Sequence, residues 1–233
     1  MLRPWMALAL ALPAATGVSQ TKPPDQPKPR MEITVERLEH GVWKQVDPGL
    51  VFARNDRVRF RYRANFAGFL YVTNRSTSGK YEQLFPREET GQENRIAAGK
   101  DYTVPATDAV FRIAGPAGHE LIYWLASPVE LTKGAANPVT GTQPLPPAST
   151  PPRPEDLLPR CDDAIFRARG ECVDSSAGPQ SVNEGDVLPQ AMAGASAATP
   201  RDLFFLRREK TTVVAAPAPL TGPVVYEFRL AHQ

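Results

Sequence analysis

The stretch NDRVRFRYRAN, residues 55–65, decides the fold. Val58, Phe60 and Tyr62 occupy every second position, which is the period of a β-strand with one face turned inward. Asn55-Asp56 marks a turn before the strand. The pattern therefore predicts a strand whose outer face carries four arginines in a row: Arg57, Arg59, Arg61 and Arg63.

The segments on either side of this strand show the same period. Residues 31–46, MEITVERLEHGVWKQV, alternate apolar with polar positions, so they predict a hairpin that turns at Gly41 and places Trp43 in the core. Residues 68–74, GFLYVTN, are apolar at consecutive positions, which is typical of an interior strand covered on both sides.

Prolines and glycines mark the strand ends. Pro86 and Pro105 lack the N–H needed to continue a β-ladder, so they end the segments QLFP and DYTVP. A further pair, AVFRIAGPAG and HELIYWLAS, is joined by a Gly-Pro-Ala-Gly turn, and strand patterns return in residues 201–233. The sequence thus predicts an all-β, mostly antiparallel sandwich of about eight to ten strands.

The chain is organised as one domain with appendages. Arg3, a short apolar run and small residues before the twentieth position predict a cleaved signal peptide over residues 1–19, cleaved after Gly17 or Ser19. A Pro-rich linker covers residues 20–30, and a single domain covers 31–233. Within that domain, a Pro-rich insertion over 129–200 is expected to be partly disordered. No later segment has the ~20 apolar residues that span a bilayer. Because of the predicted signal peptide, we expect a periplasmic or extracellular protein.

The two cysteines, Cys161 and Cys172, lie eleven residues apart in the insertion. An even pair in an exported chain predicts a disulfide, with two free thiols as the alternative. One short helix is expected beside it. Closing so short a loop stabilises a fold by roughly 3 kcal/mol.

Charge and motifs argue against several classes of function. A net charge of +2, from 27 basic and 25 acidic residues, gives no overall field for nucleic acid. The string around Ser196 lacks the second glycine of a nucleophile elbow, and AAGKD has only the end of a phosphate-binding loop. We therefore expect a non-catalytic protein with no cofactor.

Metal sites and paired carboxylates have weak candidates. The three histidines (His40, His119 and His232) show no metal-ligand spacing, and the acidic loop of Glu88, Glu89 and Glu93 lacks the spacing of a calcium site. A glycosidase-type pair drawn from Glu82, Glu120 and Glu130 requires a cleft that sequence cannot show.

The four arginines are the candidate binding residues. Alternate residues on a strand are ~6.5–7 Å apart, so the cations form a row of ~20 Å. The row suits an acidic partner: a protein, an anionic envelope polymer or lipopolysaccharide phosphates. The alternative is a solvated face paired with the acidic strand MEITVERLE. Exposed aromatic side chains beside the row, such as Tyr81 or Tyr102, would favour a ligand surface.

The order of these segments resembles a known family. VFARNDRVRFRYRANFAGFLYV, GKYEQLFP, ENRIAAGKDYTVP and FRIAGPAGHELIYWLAS are similar to the bacterial domain-of-unknown-function family 4384, over about residues 50–128. Asn55 stands where the family usually has glycine, and Phe69 where it has tyrosine. The resemblance implies a β-rich module of exported or envelope proteins and contributes no catalytic residues.

Together these features predict an exported, non-catalytic interaction module of the bacterial cell envelope that docks a partner protein. Two alternatives stay open: a β-sandwich that binds carbohydrate or an anionic polymer, and an undetected hydrolase. A deep pocket with acids or a histidine would favour the last.

Overall fold

The computed structural model describes residues 28–131, 158–180, 204–208, 210–215 and 222–233. The predicted signal peptide, most of the linker and the string around Ser196 lie outside them. Within the described residues there are thirteen strands and one helix, and none of the helical structure is long and apolar enough to cross a membrane. The elements are β1 (Arg30–Glu39), β2 (Val42–Gln45), β3 (Arg57–Ala64), β4 (Gly68–Arg75), β5 (Tyr81–Phe85), β6 (Arg95–Ile96), β7 (Asp101–Val104), β8 (Phe111–Arg112), β9 (Gly118–Ser127), α1 (Ala164–Ala168), β10 (Gly178–Gln180), β11 (Phe204–Arg208), β12 (Thr211–Ala215) and β13 (Val224–His232).

Two antiparallel sheets form the fold, which confirms the predicted all-β class. The first sheet has the order β11-β12-β1-β3-β7, with β2 paired to β1 and β8 paired to β3. The second has the order β10-β13-β9-β4-β5, with β6 paired to β4. The strand count exceeds the predicted eight to ten because β6, β8 and β10 are only two or three residues long, too short to give a periodic pattern.

The inner faces of the two sheets share one hydrophobic core. Phe60 of β3 meets Trp124 of β9 and Phe228 of β13 edge-on, with ring centroids 5.3 and 5.5 Å apart. All three rings are fully buried. Edge-to-face pairs of this kind add to the stabilisation from buried area, so these rings fix how one sheet lies on the other.

Strand β4 of the second sheet is buried on both sides, as GFLYVTN predicts. Leu70 and Val72 of β4 join the core between the sheets. Tyr71 instead joins an outer cluster with Tyr123 and Leu125, all buried. The Tyr71 hydroxyl accepts a hydrogen bond of 2.9 Å from the backbone N–H of Leu131, so the chain after β9 packs on this outer face.

The first hairpin turns as predicted, but Trp43 does not lie in the core. His40 and Gly41 have φ values of 50° and 80°, the left-handed pair of a two-residue hairpin turn. Trp43 is only half-buried and faces outward opposite Leu38. The prediction was wrong because β2 lies at the end of the first sheet, where being apolar does not by itself direct a side chain inward.

The predicted terminators are confirmed. β5 ends at Phe85, directly before Pro86, and β7 ends at Val104, directly before Pro105. Because each proline lacks a backbone donor, neither ladder continues.

The described part of the insertion packs on the sandwich. Cys161 and Cys172 form the predicted disulfide, with α1 between them. Val173 forms an isolated bridge with Leu50, and β10 pairs with β13 at the edge of the second sheet. Residues 132–157 and 181–200 of the insertion lie outside the described residues.

Candidate functional site: the arginine face

The four predicted arginines share the outer face of the first sheet. In β3, Val58, Phe60 and Tyr62 are buried, and the arginines lie between them on the opposite side. Arg57, Arg61 and Arg63 are exposed, while Arg59 is half-buried. We call this surface, with Arg112 and Glu36 added below, the arginine face.

Glu36 of β1 lies among the arginines. Its Oε2 accepts a hydrogen bond from Nε of Arg59 at 2.6 Å, and its Oε1 is 3.5 Å from Nε of Arg61. The Glu36 side chain is only 7% exposed, so this carboxylate is screened poorly by solvent. One buried anion therefore holds two guanidinium groups.

The rest of the acidic strand does not neutralise the row. Glu32 lies directly opposite Arg63, but its contact within 4.0 Å is with Arg30, at 3.7 Å. Asp101 of β7 also lies opposite Arg63 without forming an ion pair. The alternative, in which acidic residues pair with the arginines, thus holds for Arg59 and Arg61. It fails for Arg63, which has no ion pair among the described residues.

Arg112 is a fifth cation on this face, which sequence reasoning missed. It lies directly opposite Arg57, where β8 pairs with β3, and both are exposed. Among the described residues, Glu36 is the one carboxylate within 4.0 Å of any of the five guanidiniums. No local signal assigns Arg112 to this place, because β8 is two residues long.

Trp43 adds an aromatic ring to the face. The guanidinium carbon of Arg59 lies 4.3 Å from the centre of the Trp43 ring, within the range of a cation–π interaction. Arg59 thus contacts both the Trp43 ring and Glu36, while Arg57, Arg61 and Arg63 are more exposed.

The two tyrosines named as markers of a ligand surface lie elsewhere. Tyr81 is buried in the outer cluster of the second sheet. Tyr102 is half-buried and stacks on Tyr62, with ring centroids 5.3 Å apart. Its hydroxyl accepts a 2.8 Å hydrogen bond from the backbone N–H of Ala97. Trp43, not these tyrosines, is the aromatic residue of the face.

The candidates for other chemistry are dispersed. In the described part of the chain, no three histidine, cysteine or acidic side chains converge as metal ligands do. His119 Nε2 lies 3.3 Å from Asp174 Oδ2, and His232 Nε2 lies 3.5 Å from Glu120 Oε1. Glu82 and Glu120 line one cleft between the sheets, but Glu130 is exposed outside it.

Comparison with known proteins supports the family resemblance. Residues 51–130 match the family model described as Domain of unknown function (DUF4384). Residues 51–130 are thus similar to this family, and for that similarity we call them the DUF4384 segment. No curated protein and no solved structure matches the chain.

The DUF4384 segment runs from just before β3 to just after β9 and contributes strands to both sheets. It includes the four arginines and Arg112, whereas Glu36 and Trp43 precede it. In the first sheet β1 joins β3 of the segment to β12, and in the second sheet β13 joins β9 of the segment to β10; β1 and β13 belong to the rest of the chain. The arginine face is therefore built by the DUF4384 segment together with the hairpin before it.

The substitution at Asn55 has a structural reason. By the resemblance described above, this residue stands where the family usually has glycine. Its φ is 72°. Asparagine is among the few residues that adopt the left-handed conformation at low cost. The turn before β3 thus keeps its shape without glycine.

Proposed function

We propose that this protein is an exported, non-catalytic interaction module of the bacterial cell envelope, which docks an acidic patch of a partner protein on its arginine face. The observation that carries the proposal is the ratio of charges: five guanidiniums on one sheet face have a single carboxylate within 4.0 Å among the described residues.

The Arg57–Arg112 pair supports an external anion. Like charges directly opposite each other on neighbouring strands destabilise a sheet. A carboxylate placed between the two guanidiniums would replace that repulsion with two charge-assisted hydrogen bonds. Planar guanidinium groups suit carboxylates because each can donate two parallel hydrogen bonds.

The pattern on the face favours a protein over a polyanion. Because Glu36 engages Arg59 and Arg61 in the middle of the row, the unpaired cations are separated rather than continuous, and a protein can oppose each of them separately. Trp43 and Arg59 are residue types that are enriched where protein interfaces gain most of their binding energy. A flat sheet face also suits a protein surface better than a single sugar.

The remaining parts of the proposal rest on the sequence. The apolar run before Pro13, preceded by Arg3, supports export. We found no nucleophile–histidine pattern in the sequence, and this supports the non-catalytic part of the proposal.

Photo-crosslinking in the native envelope fraction tests the proposal. A photoreactive residue at Thr103, which lies opposite Arg61 on the face, should capture a protein, and mass spectrometry should place the crosslink at an acidic surface. The same residue at Lys80, in the turn before β5, should not capture that protein. Replacing Arg57, Arg61 and Arg112 by serine should abolish the Thr103 crosslink.

A matched control separates the face from net charge. Lys80, Arg95 and Arg169 are exposed and lie away from the arginine face, so replacing them by serine removes the same charge. That variant should retain the crosslink. The proposal is wrong if both triple variants lose the crosslink equally, or if the Thr103 probe captures an anionic polymer and no protein.

A further inference from the structure

A cleft of about 400 Å³ lies between the two sheets, apart from the outer side of the arginine face. Its volume falls within the ~300–1,000 Å³ typical of small-ligand pockets. Most of its wall is apolar, formed by Val58, Phe60, Leu84, Phe111, Ile122 and Leu230.

Glu120 stands on the inner face of β9, where an apolar residue would be expected. It lies directly opposite Leu230 and two positions before Ile122, which belongs to the core. Its side chain is 15% exposed. Placing a carboxylate in such apolar surroundings costs free energy unless other groups compensate it.

The compensation from neighbouring strands is incomplete. Glu120 Oε2 accepts a 2.6 Å hydrogen bond from Nδ2 of Asn74, and Glu120 Oε1 lies 3.5 Å from Nε2 of His232. His232 is 1% exposed, and its Nε2 has no hydrogen-bond partner. The Oδ1 atom of Asn74 is likewise buried without a partner. Glu120 itself lines the cleft and is partly exposed there, so its carboxylate keeps acceptor capacity that a donor in the cleft can use.

The Glu120 carboxylate defines the chemistry of a ligand in the cleft. A carboxylate accepts hydrogen bonds, so the ligand must donate them, and a positive charge would match Glu120. The apolar wall requires an aliphatic body behind the charged group.

The other acidic side chains along the cleft are already paired. Glu82 and Glu89 line it and both bond to Arg87, at 2.5 and 2.7 Å. Arg112, which belongs to the arginine face, also borders the cleft. Among the described residues, Glu120 has no lysine or arginine within 4.0 Å, so it is the acid of the lining that lacks a cationic partner of that kind.

We propose that this cleft binds a primary ammonium group carried on an aliphatic chain, with Glu120 as its counter-ion. A free alkylamine and the lysine side chain of a peptide share this chemistry. The proposal does not rest on the docking function proposed above, although Arg112 of the arginine face borders the cleft.

Titration of the full chain with n-hexylammonium chloride, followed by NMR, tests the proposal. The ammonium should bind saturably and at least about 10-fold more tightly than hexan-1-ol, because one charge-assisted hydrogen bond is worth about a factor of ten or more. This comparison uses the unaltered protein, so it does not depend on any variant folding. Equal affinity for the two compounds would overturn the proposal.

Two variants locate the site. Glu120→Gln should weaken hexylammonium binding at least about 10-fold while hexan-1-ol binding is retained, which shows that the cleft is intact. Glu130→Gln, on an exposed residue outside the cleft, should leave both affinities unchanged. Undiminished hexylammonium binding by the Glu120 variant would contradict the assignment.

A comparison with peptides distinguishes the two possible sources of the ammonium group, a free alkylamine and a lysine side chain. If a lysine-containing tripeptide with blocked ends binds and its norleucine counterpart does not, the natural ligand is a lysine side chain. If hexylammonium alone binds, it is a free amine. If neither binds at about 10 mM, where a Kd of 1 mM would nearly saturate the site, the proposal fails.

Discussion

Arg57 and Arg112 lie directly opposite each other on β3 and β8, both exposed, and no carboxylate of the described residues is within 4.0 Å of either. A sheet selected for stability alone would place opposite charges at such a pair. The arginine face therefore retains a repulsion between Arg57 and Arg112 that an acidic partner can relieve. The loss of folding stability caused by this repulsion can be measured.

Removing one member of this pair should stabilise the fold. Arg112→Ser relieves the repulsion, so the free energy of unfolding should rise by about 0.2–1 kcal/mol in urea at low salt. The gain should shrink at high salt, where exposed charges are screened. Arg95→Ser, on the second sheet, is the control and should change little. A stability loss for Arg112→Ser would contradict the repulsion.

Glu36 should matter more for stability than Glu32 on the same strand. Glu36→Gln leaves Arg59 and Arg61 without their shared anion, and the buried site cannot be rehydrated freely, so we expect a loss of about 1–2 kcal/mol. Glu32→Gln removes only the 3.7 Å contact with exposed Arg30 and should cost under about 0.5 kcal/mol. Chemical unfolding of both variants measures the two losses in free energy of unfolding. Equal losses would contradict the prediction that Glu36 matters more than Glu32.

Gly68 should not tolerate even a methyl group. A Cβ atom at this position would lie 2.4 Å from the backbone oxygen of Ser127 on the adjacent strand β9. Because backbone must move to relieve that contact, Gly68→Ala should lower stability by about 1–3 kcal/mol. Ala67→Ser, on the exposed preceding residue, is the control. An unchanged melting temperature for Gly68→Ala would show that the strands can separate at low cost.

The disulfide should contribute to stability through the packed part of the insertion. The backbone oxygen of Cys172 accepts a 2.9 Å hydrogen bond from the N–H of Val51, which ties the loop to the sandwich. Replacing Cys161 and Cys172 by serine should cost up to about 3 kcal/mol. A reductant should reproduce this loss in the unaltered protein and have no effect on the variant. A reductant-sensitive variant would show that the loss has another source.

Asp174 should make the stability of the fold depend on pH in the acid range. Burial by itself would raise the pKa of the Asp174 carboxyl, but hydrogen bonds from the Ser176 side chain, from the backbone N–H groups of Arg160 and Ser176, and the nearby His119 hold that pKa below its ordinary value. A group whose pKa is lower in the folded state stabilises the protein above its unfolded pKa, about 3.9, and loses that contribution as the pH falls through the folded value.

Asp174→Asn should therefore be destabilised at neutral pH by about 1–3 kcal/mol, since the amide cannot accept all of these hydrogen bonds. The difference from the unaltered protein should narrow below about pH 4. Asp108→Asn, on an exposed residue, should follow the unaltered protein at every pH. A difference that stays constant through the acid range would exclude the carboxylate as its cause.

The sequence by itself determined the β-class, the direction of the four arginines, the positions of the strand ends and the cysteine pair. Each of these depends on local physics: alternation directs Val58 and Phe60 inward and the arginines outward, and a proline after Phe85 or Val104 removes a donor wherever the strand lies.

Only the tertiary structure decided what surrounds those residues. Glu36, Arg112 and Trp43 come from three separate strands, and the register that brings them to the arginine face depends on non-local pairing. The same holds for the cleft, where Asn74, Glu120 and His232 lie on three neighbouring strands from distant parts of the chain. Alternation gives the side of the sheet that a residue occupies, whereas partners across strands are set by how the whole chain packs.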